Sequence, residues 1–258
     1  MNLVTYSLLV SLLNLDDRNF VSIGLSRPII AGPILGYFLN HFYLGVFIGA
    51  VIELIIINLI PIGTYIPPKA TIIIGLVMYL TDFYSASKAV FILPIIIIYS
   101  LFYGHVSKRI TRLEWKFNDY LVEKFIHFVE EGKISFLKFN LLAILLNFVV
   151  YFVMTIIGIV FGVYIINFII SVFFCNCIVV SIFNKIYYFI PLFALSFLFN
   201  NFDVPYKFLF WLAGFLVSAG ILFFFNSVPA FHLFLFAVLF SVGILVLYKF
   251  FISRNVYE

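Results

Sequence analysis

The stretch from residue 26 to residue 70 constrains this chain most, because it is almost entirely apolar yet carries small residues at intervals of four. Two series follow each other: Pro28, Gly32, Gly36 and Asn40, then Gly45, Gly49 and Glu53. Residues four apart share one face of a helix. Small residues on that face let another backbone approach closely, as is typical of helices packed in lipid. The pattern therefore predicts two helices that pack through glycine faces, each ending in a polar side chain.

The composition supports a membrane setting for these helices. Hydrophobic residues make up 65% of the chain and charged residues 10%, with a mean hydropathy of +1.22. An average soluble domain is far more polar. At about 20 residues per span, the chain has room for roughly eight to ten membrane segments. We expect an all-α polytopic membrane protein, whose net charge of +4 reflects loop topology rather than nucleic-acid binding.

A long polar stretch divides the chain into three regions: an N-terminal membrane half (1–104), a connector (105–138) and a C-terminal membrane half (139–258). The connector is rich in Lys and Arg, which predicts a cytoplasmic location. Its apolar residues recur at spacings of three and four, which predicts an amphipathic helix. That helix either lies on the inner membrane surface or docks a cytosolic partner. The apolar segments are 3–14, 20–40, 43–60, 70–80, 86–106, 139–162, 163–183, 187–199, 206–226 and 229–251.

Two of these segments, 70–80 and 187–199, fall short of the roughly 17 residues that a straight spanning helix needs. They lie beside Pro67 and Pro68, and around Pro191. Five segments also separate the basic connector from the basic C-terminal end, and an odd number cannot return the chain to the same side. We therefore expect 187–199 not to span, and we predict re-entrant or gating elements at these prolines.

The chain carries no motif of a soluble enzyme: it has no Gly-rich phosphate loop with its lysine, no His-Glu-x-x-His and no Gly-x-Ser-x-Gly. Cys175 and Cys177 lack the further ligands that a zinc site requires. The sequence therefore predicts no catalytic residue, no metal and no cofactor. A chain of this kind moves or binds a solute.

Polar side chains within the apolar N-terminal half are the candidates for contact with that solute. They are Arg27, Asn40, Glu53, Asn58 and Lys69. A carboxylate at membrane depth is costly and marks a functional site by default. Other roles remain open: Glu53 and Asn58 as contacts between helices, Arg27 as an interfacial partner of Asp16 or Asp17, and Lys69 as an exposed loop residue.

The order of these elements resembles the N-terminal signature of IIC, the membrane-channel subunit of mannose/fructose/sorbose-type sugar phosphotransferase systems. The matching elements are Leu15-Asp16, Arg27-Pro28, Ala31, Gly36, Gly45, Gly49, Glu53-Leu54, Ile62-Gly63, Pro68 and Ala70. A second match, from Tyr188 to Phe193 with Phe202, resembles the late proline-phenylalanine segment of the family.

The resemblance implies a multi-pass sugar permease of the bacterial inner membrane. Its expected partners are a IID membrane subunit, in a trimer of IIC–IID pairs, and cytosolic IIA and IIB proteins that deliver phosphate. Lys69 stands where the family commonly has an aspartate, so we expect altered specificity, favouring an acidic sugar. Two alternatives stay open: a proton-coupled transporter in which Glu53 titrates, and a scaffold that does not transport.

Overall fold

The computed structural model describes residues 1–17, 23–57, 59, 66–130, 136–173 and 177–199. Regular structure within these ranges is entirely α-helical, which confirms the all-α class for this part of the chain. The helices are α1 (Leu3–Leu15), α2 (Pro28–Phe38), α3 (Phe42–Ile56), α4 (Ala70–Phe83), α5 (Ser85–Glu130), α6 (Phe136–Phe173) and α7 (Cys177–Phe199).

The first four helices are short. They have 13, 11, 15 and 14 residues, which corresponds to about 16–22 Å at 1.5 Å per residue. The hydrocarbon core of a bilayer is about 30 Å thick. Within the described ranges, the stretch 140–172 of α6 is long and apolar enough to cross a membrane by itself, with a mean hydropathy of 2.6.

The sequence predicted longer segments, 20–40 and 43–60, in place of α2 and α3. The structure begins α2 at Pro28, because Arg27 is extended (φ −71°, ψ 136°) and a proline is favoured at the first helical position. The helix stops before Asn40, whose φ is +61°. Such a left-handed conformation ends a helix, and asparagine tolerates it better than most residues do.

Helix α4 forms the centre of the compact unit that comprises residues 1–187. Every residue from 71 to 78 is buried. On one side the Tyr6 hydroxyl of α1 donates to the Gly75 carbonyl at 2.8 Å. At the end of the unit where the α2–α3 turn lies, His41 Nε2 is 3.2 Å from an Asp82 carboxylate oxygen of α4. The second unit comprises residues 188–258, of which the structure describes the α7 portion 188–199.

Helices α5 and α6 are longer than predicted. Helix α5 continues through residue 105, where the sequence analysis divided a membrane segment from the connector, and residues 131–135 lie outside the described ranges. Gly104 lies inside this helix and packs closely against the Ile73 side chain of α4. Tyr99 and Tyr103 of α5 donate to the carbonyls of Gly158 and Met154, at 2.6 and 2.7 Å, and so fasten α5 to α6.

The division of 139–183 into two segments was wrong, because 139–173 is part of the single helix α6. The parity argument counted two segments in 139–183, so it no longer supports a non-spanning element at 187–199, and that element stays a prediction. Pro191 lies inside helix α7 rather than at a helix end. The predicted segments 206–226 and 229–251 lie outside the described residues.

Between residues 105 and 117, helix α5 buries three polar side chains while apolar side chains on the same part of the helix are exposed. Leu113 is 64% exposed and Phe117 is exposed as well, whereas Ser107, Thr111 and Glu114 are buried. A membrane protein can present apolar side chains outward and keep polar ones between its helices. The arrangement places a carboxylate and two hydroxyls in the interior of the helix bundle.

Candidate functional site

The glycines of α2 and α3 bring the two backbones into direct contact. A Cβ atom placed on Gly45 would overlap the carbonyl oxygen of Gly32. One placed on Gly36 would lie 2.8 Å from the His41 carbonyl oxygen, and one on Gly49 would lie 2.5 Å from that of Pro28. No larger residue fits these positions without separating the helices. We call α2, the turn at residues 39–41 and α3 the glycine hairpin.

The hairpin places Glu53 beside the N-terminus of α2. One Glu53 carboxylate oxygen lies 3.5 Å from the Arg27 guanidinium, and the other accepts the backbone N–H of Ile29 at 3.4 Å. The positive end of the α2 dipole favours a carboxylate here. The Glu53 side chain is 16% exposed and that of Arg27 is 69% exposed. Both contacts are long, at 3.5 and 3.4 Å.

Asp16 and Asp17 have other roles than the predicted one as partners of Arg27. The buried Asp16 carboxylate accepts the backbone N–H groups of residues 23, 24 and 25 at 3.0, 2.8 and 2.6 Å. Burial by itself would raise the pKa of Asp16, but these backbone donors, with that of Ser26, hold the pKa below its ordinary value. Asp16 therefore fixes the turn that leads into α2.

Lys69 is buried at the N-terminus of α4, so the exposed-loop reading of this residue is wrong. The residue is 5% exposed, and its ammonium lies 2.7 Å from the Asp17 carboxylate and 5.1 Å from the centre of the Tyr151 ring. Its backbone N–H donates to Ser107 Oγ at 3.2 Å. The expectation of an acidic sugar assumed an uncompensated cation, whereas Asp17 compensates the charge of Lys69.

A second buried contact continues from Lys69 into α5 and α6. The Tyr151 hydroxyl donates to a Glu114 carboxylate oxygen at 2.6 Å, and both residues are buried. We call the set Asp17, Lys69, Ser107, Glu114 and Tyr151 the polar junction. Charged and hydroxyl groups inside a membrane bundle are costly unless paired, and they commonly mark a solute pathway.

Sequence reasoning missed most of the polar junction, because it assigned Glu114 to a cytoplasmic connector. A signal was present: polar residues at 107, 111 and 114 of α5, and at 147, 151 and 155 of α6, each repeat at helical spacing. All six of these residues are buried.

The predicted ligand-contacting residues do not form one cluster. The Thr71 hydroxyl of α4 donates to the Ser26 carbonyl at 2.9 Å, which brings the start of α4 to the start of α2. Arg27, Glu53 and Lys69 therefore lie at the same end of the unit. Asn40 is exposed at the other end of α2, about 16 Å away along a helix of 11 residues.

The remaining predicted positions carry less structural information. Asn58 lies outside the described residues. Pro67 and Pro68 belong to the irregular segment 66–69 that leads into α4, and Pro191 is inside α7. A gating role for these prolines stays a prediction.

Comparisons with known proteins agree with this architecture. A family model described as the PTS system sorbose-specific IIC component matches residues 1–243. A solved structure titled "Structure of membrane protein" is 16% identical with a TM-score of 0.56, and the match covers 94% of both chains. At that identity the likeness shows the fold alone. A comparison with curated proteins gives no match.

Proposed function

Because the chain belongs to the family of sorbose-specific IIC components of the sugar phosphotransferase system, we propose that it carries a sugar across the bacterial inner membrane while partner subunits phosphorylate it. The match over residues 1–243 is the observation that carries this proposal. The proposal includes a multi-pass topology, a IID-like membrane partner in a trimer of pairs, and cytosolic IIA and IIB phosphocarriers.

Two features of the fold support a transport role. The Arg27–Glu53 pair offers donors and acceptors at the surface of the unit, and the polar junction provides buried ones at the same end. Sugar recognition relies on such groups set within a mostly apolar surrounding. A glycine hairpin that keeps its shape gives the Arg27–Glu53 pair a fixed geometry.

The coupling is tested by sugar uptake into cells or vesicles that contain this chain and its neighbouring gene products. We expect uptake to require phosphoenolpyruvate and to yield the sugar phosphate. Uptake that needs a proton gradient instead would favour the alternative in which Glu53 titrates. Absence of uptake, with partners still co-purifying, would favour the scaffold.

Glu53→Gln tests the assigned residue within that experiment. We expect at least a tenfold loss of uptake with partner assembly intact, because a neutral amide accepts weaker hydrogen bonds from sugar hydroxyls than a carboxylate does. Glu123→Gln, on the exposed part of α5, is a matched control that keeps uptake. Normal uptake by Glu53→Gln would remove Glu53 from the site.

A further inference from the structure

The side-chain amide of Asn14, near the end of α1, is buried with unused hydrogen-bonding capacity. Asn14 is 2% exposed, and neither its Oδ1 nor its Nδ2 has a hydrogen-bond partner in the part of the chain that the structure describes. Leaving a buried polar group unsatisfied costs about 1–3 kcal/mol. Ser11, one turn earlier on the same face, is equally buried but donates to the Ser7 carbonyl at 2.6 Å. The Ser7 hydroxyl, one turn before Ser11 on this face, is likewise buried without a partner. Asn14 differs from Ser7 in its place on α1, three residues before Asp17.

Contacts between α1 and α4 show which part of α4 lies beside Asn14. The two helices run antiparallel, because Asp17 pairs with Lys69 while Val10 packs against Gly75. Asn14 lies between Val10 and Asp17 along the chain. It is consequently level with the first turns of α4, just inside the ion pair.

Contacts between α4 and α6 show which part of α6 lies at the same level as Asn14. Helix α6 runs parallel to α4, because Tyr151 lies beneath the Lys69 ammonium while Gly158 packs against Leu76. Helix α1 packs directly on α6. Asn14 is therefore level with the part of α6 between Tyr151 and Gly158, next to the polar junction.

The chemistry at this level suits a neutral hydroxylated ligand. An amide offers two donors and an acceptor oxygen, and a sugar hydroxyl both donates and accepts. The neighbouring charges already have partners, since Asp17 lies against Lys69 and Tyr151 donates to Glu114. A ligand here needs to bring no charge of its own.

We propose that Asn14, together with the polar junction beside it, binds hydroxyl groups of a neutral sugar inside the bundle. This inference rests on the proposed function and deepens it, because it assigns a buried subsite distinct from the Arg27–Glu53 pair. It also replaces the expectation of an acidic sugar by a neutral one.

The test measures thermal unfolding of the purified full chain, with any membrane partner that co-purifies, in the presence of L-sorbose, D-mannose, D-glucose or D-galacturonate. Asn14→Leu removes the amide at similar volume, and Ser11→Ala is the control on the same buried face. We expect a neutral hexose to stabilise the wild type and Ser11→Ala. In Asn14→Leu its apparent affinity should fall at least tenfold, while the sugar-free protein is as stable as the wild type or more so.

Each other outcome overturns the inference in a recognisable way. A lower stability of sugar-free Asn14→Leu would mean that the amide is satisfied within the protein. An unchanged hexose response of Asn14→Leu would mean that the amide holds water only, and the proposed function would stand. Stabilisation by D-galacturonate alone would contradict a neutral ligand. If no sugar stabilises the wild type and uptake is also absent, the proposed function fails together with the inference.

Discussion

The glycine hairpin and the polar junction solve the same problem, the close packing of helices in an apolar surrounding, by opposite means. In the hairpin, side chains are missing and the backbones touch, as at Gly32 and Gly45. In the junction, long side chains cross between helices and meet through charge and hydrogen bonds, as at Lys69 and Asp17. The hairpin therefore tolerates no added atom, whereas the junction tolerates changes of shape more readily than changes of charge.

The largest effect is expected from an added atom in the hairpin. Gly45→Ala places a methyl group against the Gly32 carbonyl, which is backbone and cannot rotate away. We expect a loss of about 3 kcal/mol or more, at the upper end of overpacking penalties. Denaturant unfolding in detergent measures it. In the control Gly75→Ala, the methyl group meets the Val10 side chain at 2.9 Å, so a smaller loss is expected. Equal losses would mean that direct backbone contact is not what distinguishes the hairpin.

A change of charge in the junction comes next. Asp17→Asn leaves the buried Lys69 ammonium without its anion, and we expect a loss of about 2 kcal/mol. The reverse change, Lys69→Met, leaves a carboxylate whose side chain is 45% exposed and can be hydrated, so the loss should be below about 1 kcal/mol. Unfolding of both variants in parallel measures the asymmetry. A larger loss for Lys69→Met would show that the lysine packs rather than pairs.

Asp16 lies at the turn that joins the two regions. The pH dependence of stability tests whether its carboxylate holds that turn. Its pKa is lowered in the folded protein, so its contribution is complete above the ordinary value of 3.8 and disappears as the pH falls through the lower folded-state pKa. Asp16→Ala should cost about 1 kcal/mol at neutral pH, by analogy with lost helix caps. It should also flatten the decline of stability below about pH 4, relative to wild type. Thermal unfolding from pH 3 to 7 measures both, and parallel pH profiles would contradict the role.

The smallest effect on stability is expected at Arg27. Its side chain is 69% exposed and its contact with Glu53 is 3.5 Å long, so Arg27→Gln should change stability by less than about 0.5 kcal/mol. Uptake should nevertheless fall several-fold under the proposed function. A variant that unfolds like wild type but transports less would separate a ligand contact from a structural one. A loss of stability without loss of uptake would reverse that assignment.

The sequence predicted the family and the all-α class, but it did not predict that Arg27 lies beside Glu53. The order of the motifs along the chain suggested the family, and the family model that matches residues 1–243 confirms it. Glu53 lies four residues after Gly49, so its position on the protein-facing side followed from helical periodicity. The partner of Arg27 could not be predicted, because the choice between Asp16, Asp17 and Glu53 depends on how the turn before α2 folds.

The burial of Glu114 and Lys69 could not be predicted from the residues next to them in the sequence. The sequence analysis placed Glu114 in a cytoplasmic amphipathic connector and left an exposed loop open as an alternative for Lys69, and both inferences used the sequence neighbours of each residue alone. Burial depends on the neighbours in space, here Tyr151 for Glu114 and Asp17 for Lys69. The polar residues of α5 and α6 recur at helical spacing, which indicated two polar stripes. That the stripes meet follows only once the two helices are known to be adjacent.

The backbone contacts of the glycine hairpin have a mechanical consequence. No layer of side chains lies between α2 and α3 at these contacts to rearrange under load, so the two helices transmit a displacement instead of absorbing it. His41 attaches the turn of the hairpin to α4 through Asp82. We therefore expect a shift of α4 at that end to move Arg27 and Glu53 at the other end, with the hairpin moving as one stiff body because its helices touch through their backbones.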